Sequence, residues 1–95
     1  MLSDIPKKLK EVDKQTLDLE ILRAGIIAEL DAINLYEQMA ALTENEHIRK
    51  VLLDIAREEK AHFGEFEALL MKLDEEQMEE TEKGKKEVRE LASEK

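Results

Sequence analysis

The sequence predicts an all-α protein: an antiparallel two-helix hairpin with a short C-terminal helix, pairing with a second copy to complete a four-helix bundle. Three glycines, one proline and 3% aromatic residues in a 95-residue chain argue against a β-sheet. Two long rows of apolar side chains recur at heptad spacing, as in helices that pack against other helices. A turn signal separates the rows, so the two helices should fold back on each other.

On this basis the chain divides into three segments. Residues 1–12 are a lead-in, residues 13–73 form the helical hairpin, and residues 74–95 form a charged C-terminal helix or tail. A lone hairpin of this size buries too little apolar surface to be stable by itself, so we expect oligomers.

The first helix is expected from about Asp13 to Leu42, with Asp13 or Thr16 as its N-cap. Gly25 lies on the apolar side, which indicates either close approach of another backbone or mere tolerance of a glycine. The row of heptad-spaced positions in this helix, here called its seam, contains a single charge. The seam consists of Leu19, Leu22, Ile26, Glu29, Ile33, Tyr36 and Ala40. A second apolar row predicts contacts beyond a simple dimer. It consists of Ile21, Ala28, Leu35 and Leu42.

The second helix is expected from Thr43 to about Leu73. Thr43 and Glu46 match the S/T-x-x-E capping box, so the turn should be tight. Beyond Leu73 the chain is mostly charged, which indicates a solvated helix with a weak break at Gly84, or alternatively a frayed tail. The seam of the second helix contains two ionisable residues and consists of Ile48, Leu52, Ile55, Glu59, His62, Phe66, Leu69 and Leu73.

The three seam interruptions, Glu29, Glu59 and His62, predict a metal site, because a buried carboxylate is costly unless it is paired or bound to a metal. Glu29 precedes Thr43 by 14 residues and Glu59 follows it by 16, which places them roughly 21 and 24 Å from the turn. Two carboxylates and one imidazole suit iron, with manganese or zinc able to substitute. One chain offers half of a two-metal ligand set, so a twofold-related second chain is expected to supply the rest.

His62, the pair Glu44 and His47, and Tyr36 have competing interpretations. A lone histidine on an apolar face usually serves packing, but its acidic neighbours favour a ligand role for His62. Glu44 and His47 repeat the Glu-x-x-His spacing, yet they fall off the seam and Glu46 is occupied by the capping box, so we expect no metal there. Tyr36 either packs in the core with a hydrogen-bonded phenol or takes part beside the metal site.

The charge balance restricts the partners. With 24 acidic and 15 basic residues the net charge is -9, which argues against nucleic acid and anionic membranes and favours cations. The absence of cysteine excludes disulfides, thiol catalysis and rubredoxin-type iron. We see no targeting signal and no apolar run long enough to cross a membrane, so we expect a soluble protein.

Two short motifs carry a family resemblance. The runs IAELDAINLYE at residues 27–37 and REEKAHF at residues 57–63 resemble those of the encapsulated ferritins, two-helix ferritin-like proteins housed in encapsulin nanocompartments, and more distantly those of the rubrerythrins. The match covers about residues 15–73. Leu35 stands where relatives can have tryptophan, and Ala28 stands where relatives can have an extra acidic residue.

The resemblance implies a ferroxidase that oxidises Fe(II) to Fe(III) at a di-iron centre between two subunits of a ferritin-like four-helix bundle. The residues matching Glu59 would bridge the two ions, and those matching Glu29 and His62 would be terminal ligands. Tyr36 matches a family tyrosine near the centre. The catalytic set expected from the resemblance is therefore Glu29, Glu59, His62 and Tyr36.

The resemblance also implies an assembly and a location. Homodimers would join into a ring, expected to be a decamer, and an encapsulin shell protein would enclose the ring and store the iron. The protein would then work inside a cytoplasmic nanocompartment. No short cargo tail follows Ser93, which leaves open a shortened chain or the ferritin-like part of a longer fusion.

Two other functions stay open at this point. One is a peroxide reductase of the rubrerythrin type, although the chain lacks the cysteines of the usual rubredoxin donor. The other is a non-catalytic helical assembly module, in which the polar residues of the seams only set register and partner number.

Overall fold

The computed structural model describes residues 14–93, which form three α-helices and, within that range, no strand. The helices are α1 (Lys14–Leu42), α2 (Glu46–Leu73) and α3 (Glu75–Ser93). The prediction of an all-α hairpin with a C-terminal helix is confirmed. Thr16 lies inside α1 and so does not cap it, whereas the lead-in and Asp13 lie outside the described residues.

Helices α1 and α2 run antiparallel, as the contacts between them indicate. Near the turn, Arg49 Nε donates a hydrogen bond to the carbonyl oxygen of Ala40 at 3.1 Å. Farther from the turn, Lys60 Nζ lies 3.0 Å from Glu37 Oε2. Positions later in α2 therefore meet positions earlier in α1, which is the register expected of a tight hairpin.

The face of α2 that packs on α1 differs from the predicted seam. In α2, the buried residues Ala56 and Leu70 are 2% and 5% exposed, while Ile48, Leu69 and Leu73 remain 46–50% exposed. Leu52, Ile55, Glu59 and Phe66 of the predicted seam are partly buried, so the packed face keeps the middle of that seam and differs from it by one position at Ala56 and Leu70. The seam predicted for α1 agrees better with the structure, because every buried residue of α1 belongs to that seam. The buried residues of α1 are Leu22, Ile33 and Ala40.

The cap of α2 also differs from the prediction. The helix begins at Glu46, and Asn45 caps it, with Oδ1 accepting from the backbone N–H groups of His47 at 2.9 Å and Ile48 at 3.0 Å. The capping box assigned to Thr43 and Glu46 is wrong, since Thr43 Oγ1 instead accepts from the N–H of Asn45 at 3.2 Å. Extended backbone at Asn45, with φ -90° and ψ 118°, places its amide oxygen over the first turn.

Gly25 faces an aromatic ring rather than a second backbone. A Cβ built on Gly25 would lie 3.2 Å from Cε2 of Phe66, which is tighter than ordinary van der Waals contact. The expected close approach therefore exists, but its partner is the Phe66 side chain. Glycine at this position lets the ring lie directly against α1.

Asp74 forms the corner between α2 and α3. Its backbone N–H donates to the carbonyl oxygen of Leu70 at 2.8 Å, and its Oδ1 accepts from the N–H of Gln77 at 3.0 Å. Its Oδ2 accepts from Arg23 Nη2 at 3.0 Å, which connects the corner to α1. Helix α3 runs through Gly84 without a break, so the helical alternative for the charged segment is the one observed.

The isolated chain is extended rather than compact. Its radius of gyration is 17.2 Å, whereas a globular domain of this length has about 12 Å. Large apolar side chains stay exposed on all three helices, among them Leu35 at 53%, Leu42 at 82% and Leu91 at 70%. None of the helices within residues 14–93 has both the length and the apolar character needed to cross a membrane.

Candidate metal centre

Glu29, Glu59 and His62 come together between α1 and α2. One ligand atom from each side chain lies within 4.8 Å of the others. Glu29 lies in the middle of α1, whereas Glu59 and His62 lie one turn apart on α2, so the register of the hairpin brings them together. Among residues 14–93 this is the one group of three or more histidine or acidic side chains with that spacing.

The distances among these side chains suit a shared cation better than hydrogen bonds. His62 Nδ1 lies 3.6 Å from Glu59 Oε2 and 3.8 Å from Glu29 Oε2. A hydrogen bond from nitrogen to oxygen needs about 2.7–3.2 Å. Two ligand atoms that each lie about 2.1 Å from one divalent ion are roughly 3–4 Å apart, which includes both observed separations.

Glu29 has the clearest need for a partner. Its side chain is 18% exposed, and its Oε2 atom is buried with no hydrogen-bond partner among the described residues. Within residues 14–93, neither Glu29 nor Glu59 forms an ion pair with a lysine or arginine, and His62 is the basic residue that faces them. Because a buried carboxylate oxygen without a partner is costly, this donor set fits a bound cation.

A solvent-exposed cleft of about 320 Å³ leads to this cluster. Its lining residues are Glu29, His62, Glu65, Phe66 and Leu69. The His62 side chain is 47% exposed, so a cation in solution can reach it. Sequence reasoning missed Glu65, because it stands off the apolar seam among many other charged residues. The available signal was its position three residues after His62, which puts both on one side of the helix.

Neither Tyr36 nor His47 lines the cleft. Tyr36 is half-buried on α1, is absent from the cleft lining, and its hydroxyl forms no hydrogen bond with the described residues. His47 is exposed at the start of α2, where it borders a separate apolar groove. Within the described part of the chain, Glu44 and His47 belong to no group of three or more potential ligands.

Two carboxylates and one imidazole can hold a divalent ion and leave coordination positions open. Fe(II), Mn(II) and Zn(II) all accept nitrogen and oxygen ligands of this kind. Three protein ligands beside an exposed cleft are typical of a reactive site, whereas structural zinc sites are closed by four. A hairpin with Glu on one helix and Glu-x-x-His on the next places this protein in the ferritin-like class of helical carboxylate proteins.

Comparison with known families narrows the class to one family. The family model described as Rubrerythrin matches residues 20–94, so the chain belongs to the rubrerythrin family. The solved structure of the encapsulated ferritin domain from Pyrococcus furiosus superposes with a TM-score of 0.81 and 58% identity, covering 94% of each chain. These findings confirm the resemblance to encapsulated ferritins and rubrerythrins.

Two curated relatives are also similar in sequence. A ferritin-like-encapsulin shell fusion protein of Pyrococcus furiosus is 67% identical over 73 residues, which cover 77% of this chain and 21% of the relative. The encapsulin nanocompartment cargo protein EncC of Myxococcus xanthus is 39% identical over 69 residues, which cover 70% of this chain and 53% of the relative. The chain thus spans about a fifth and about half of the two relatives.

Proposed function

We propose that this protein is a ferroxidase that oxidises Fe(II) to Fe(III) at a di-iron centre shared between two subunits. The observation that carries the proposal is the cluster of Glu29, Glu59 and His62, in which Glu29 Oε2 is buried without a hydrogen-bond partner. Iron is the substrate of this reaction, and two carboxylates with one imidazole are suitable ligands for Fe(II).

The proposed centre needs two chains. One chain supplies two glutamates and one histidine, whereas a two-metal site in a four-helix bundle uses two such sets. A twofold axis beside the exposed edge of His62 would bring a second set opposite the first. Two copies of Glu29 and Glu59 carry four negative charges, which two Fe(II) ions balance.

The side chains have different roles in this proposal. Glu59 bridges the two ions, while Glu29 and His62 each bind one ion. Tyr36, two turns after Glu29 on α1, supplies a hydrogen bond or an electron near the centre. Two Fe(II) ions together would give two electrons, with two protons from solvent, to dioxygen, which becomes hydrogen peroxide, or to hydrogen peroxide, which becomes water, and each ion would leave as Fe(III).

Storage of the oxidised iron is proposed to depend on an encapsulin shell protein. The names of two similar relatives, a ferritin-like-encapsulin shell fusion protein and an encapsulin nanocompartment cargo protein, support this partner. In this proposal homodimers form a ring, expected to be a decamer, within a cytoplasmic nanocompartment. The net charge of -9 favours the attraction of iron cations and disfavours nucleic acid as a partner.

Substitution of the ligands tests the proposal. Glu29→Ala, Glu59→Ala and His62→Ala should each lower Fe(II) oxidation to the uncatalysed rate, because loss of a ligand changes metal occupancy and coordination geometry. The measurements are the initial rate of Fe(III) absorbance and the iron content of the protein. His47→Ala is the matched control, since it removes an imidazole from the same helix outside the cluster. Equal losses for His47 and His62 would contradict the assignment.

A further inference from the structure

We propose that Gly25 is a positioning residue of the metal centre: because it carries no side chain, the Phe66 ring can lie against α1, and this contact sets the distance between α1 and α2 at the ligands. The inference rests on the proposed function, since it requires that the cluster binds metal. It gives Gly25 no contact with the metal. The contact with Phe66 lies within one chain, so it does not depend on what covers the cleft in an assembly.

The contact between Gly25 and Phe66 lies one helical turn from the cluster on both helices. Gly25 precedes Glu29 by four residues on α1. Phe66 follows His62 by four residues on α2, so each pair shares one side of its helix. Because α1 and α2 are antiparallel, both steps lead away from the turn, and Glu29, His62 and Phe66 line one cleft. A change in helix spacing at Gly25 therefore reaches the ligands directly.

The Phe66 ring occupies the space that a side chain at position 25 would need. A Cβ on Gly25 would lie 3.2 Å from Cε2 of Phe66 and 3.3 Å from both Cδ2 and Cζ. To relieve such a contact, the ring or the helix that carries it has to move by a few tenths of an ångström. At Gly64, on the same helix as the ring, nothing lies within 4 Å of an added Cβ. The steric reason for glycine thus exists at position 25 and not at position 64.

A displacement of this size is large enough to disturb a metal site. Distances from a metal to its ligands hold within about 0.2 Å, which is no larger than the movement that a Cβ on Gly25 demands. His62 Nδ1 lies 3.8 Å from Glu29 Oε2, across the two helices, and 3.6 Å from Glu59 Oε2 on its own helix. A shift of α2 relative to α1 therefore changes the distances to Glu29 first.

The other side of the cluster is fixed by ordinary packing. Ile33, one turn after Glu29, is 8% exposed, and Ala56, one turn before Glu59, is 2% exposed. The cluster thus lies between this packed layer and the contact of Gly25 with Phe66. A methyl group at position 25 would tilt α2 away from α1 at one end while the buried layer holds the other end. We expect the metal to bind more weakly although the hairpin stays folded.

The experiment compares Gly25→Ala with Gly64→Ala in the metal-free full chain. Gly64→Ala is the matched control, because the same change meets nothing within 4 Å and lies about 200° around α2 from His62. Co(II) serves as the probe, and both its equilibrium affinity and its visible absorption are measured, since that absorption depends on coordination geometry. Circular dichroism and native mass of each variant check fold and assembly.

Gly25→Ala should bind Co(II) about tenfold more weakly than the wild type, which is the lower end of the loss seen when a group that orients a metal ligand is changed. The visible spectrum of its bound Co(II) should also differ, because the carboxylate of Glu29 is displaced relative to His62. In metal-free buffer its helix content should equal that of the wild type. Gly64→Ala should match the wild type in affinity and in spectrum.

A second pair of variants tests whether the Phe66 ring is the cause. Leucine has no Cε or Cζ atom, so Phe66→Leu removes two of the three atoms that a Cβ on Gly25 would meet. Adding Gly25→Ala to Phe66→Leu should therefore leave Co(II) affinity unchanged relative to Phe66→Leu alone. Such non-additivity is expected when two residues act through one contact.

Four results would overturn the positioning role of Gly25. They are an unchanged Co(II) affinity and spectrum in Gly25→Ala, a loss of affinity that is accompanied by loss of helix content, an equal loss in Gly64→Ala, and an equal loss with and without Phe66→Leu. Failure of the wild type to bind Co(II) would instead refute the proposed metal centre, and the inference with it. The two failures are therefore distinguishable.

Discussion

The buried oxygen of Glu29 links the chemistry of the site to the energetics of the fold. Without a cation, this atom is removed from water and has no hydrogen-bond partner among the described residues. An unsatisfied buried polar group costs about 1–3 kcal/mol. A bound cation would offset this free-energy cost, because the same low-dielectric surroundings strengthen its attraction to the carboxylate. In the proposed function, Glu29 therefore lowers the stability of the empty hairpin, and a bound cation would offset this cost.

Gly25 allows a prediction about packing beside the site. Gly25→Ala should stabilise the metal-free chain less than Gly64→Ala does. Replacing a helical glycine by alanine gains about 1 kcal/mol, but a Cβ on Gly25 would meet Phe66 at 3.2–3.3 Å, whereas nothing lies within 4 Å of a Cβ on Gly64. Urea denaturation of both variants measures the difference. An equal gain at the two positions would mean that the Phe66 ring moves aside without cost.

Helix α2 has two apolar sides with different surroundings. One side packs on α1 through Ala56 and Leu70, while a neighbouring side leaves Ile48 and Leu69 half-exposed. Glu59 and His62 lie between these two sides: the Glu59 side chain is 20% exposed and that of His62 is 47% exposed. This placement is what a site shared by two hairpins requires, because each ligand must face both its own α1 and the second subunit.

The start of α2 provides a second prediction. Asn45→Ala should destabilise the chain by about 1 kcal/mol, because Asn45 Oδ1 accepts hydrogen bonds from two N–H groups of the first turn that then lose their partner. Thr43→Ala should cost less, since the Thr43 hydroxyl accepts from one N–H in the turn. Thermal unfolding followed by circular dichroism compares them. If Thr43→Ala proved the more costly change, the capping box expected from the sequence would be the true cap.

Residues 14–93 form an open arrangement of helices rather than a compact globule. Its radius of gyration of 17.2 Å is well above the value for a compact chain of this length. Helix α3 contacts α2 and not α1 within the described residues, and its Val88 and Leu91 are 64% and 70% exposed. Apolar surface left open on this amount of helix favours association with further copies.

Because the proposed centre lies between subunits, metal binding and assembly should be one linked equilibrium. Removing metal from the wild-type protein should shift it toward smaller species, and adding Fe(II) or Zn(II) should restore dimers or rings at one ion per chain. Metal in hundredfold excess over its dissociation constant stabilises the assembled form by about 2.7 kcal/mol. Native mass spectrometry across a concentration series, with and without chelator, measures the shift.

Glu59→Ala is the control for this linkage. It removes a metal ligand and also the repulsion between carboxylates that meet at the proposed twofold axis. The variant should therefore bind no iron, yet assemble in metal-free buffer at least as well as the wild type. Wild-type assembly that is indifferent to metal, or a lone monomer that oxidises iron, would refute a shared centre.

The sequence by itself determined the helices, the hairpin and the three residues that meet at the site. Heptad spacing and the ionisable residues within it are local patterns, and the short turn at residues 43–45 constrains the register of the two helices. Glu29, Glu59 and His62 were therefore predictable as one cluster, and the structure brings them together.

Only the tertiary structure decided how the helices are rotated about their own axes. The heptad count could not tell which apolar side of α2 lies against α1, so it selected Leu69 where Leu70 is buried. The packing of α2 on α1 also places Phe66 against Gly25 and Glu65 in the cleft. These contacts depend on side chains far apart in the chain, and the competition among several apolar faces is settled only when the two helices pack.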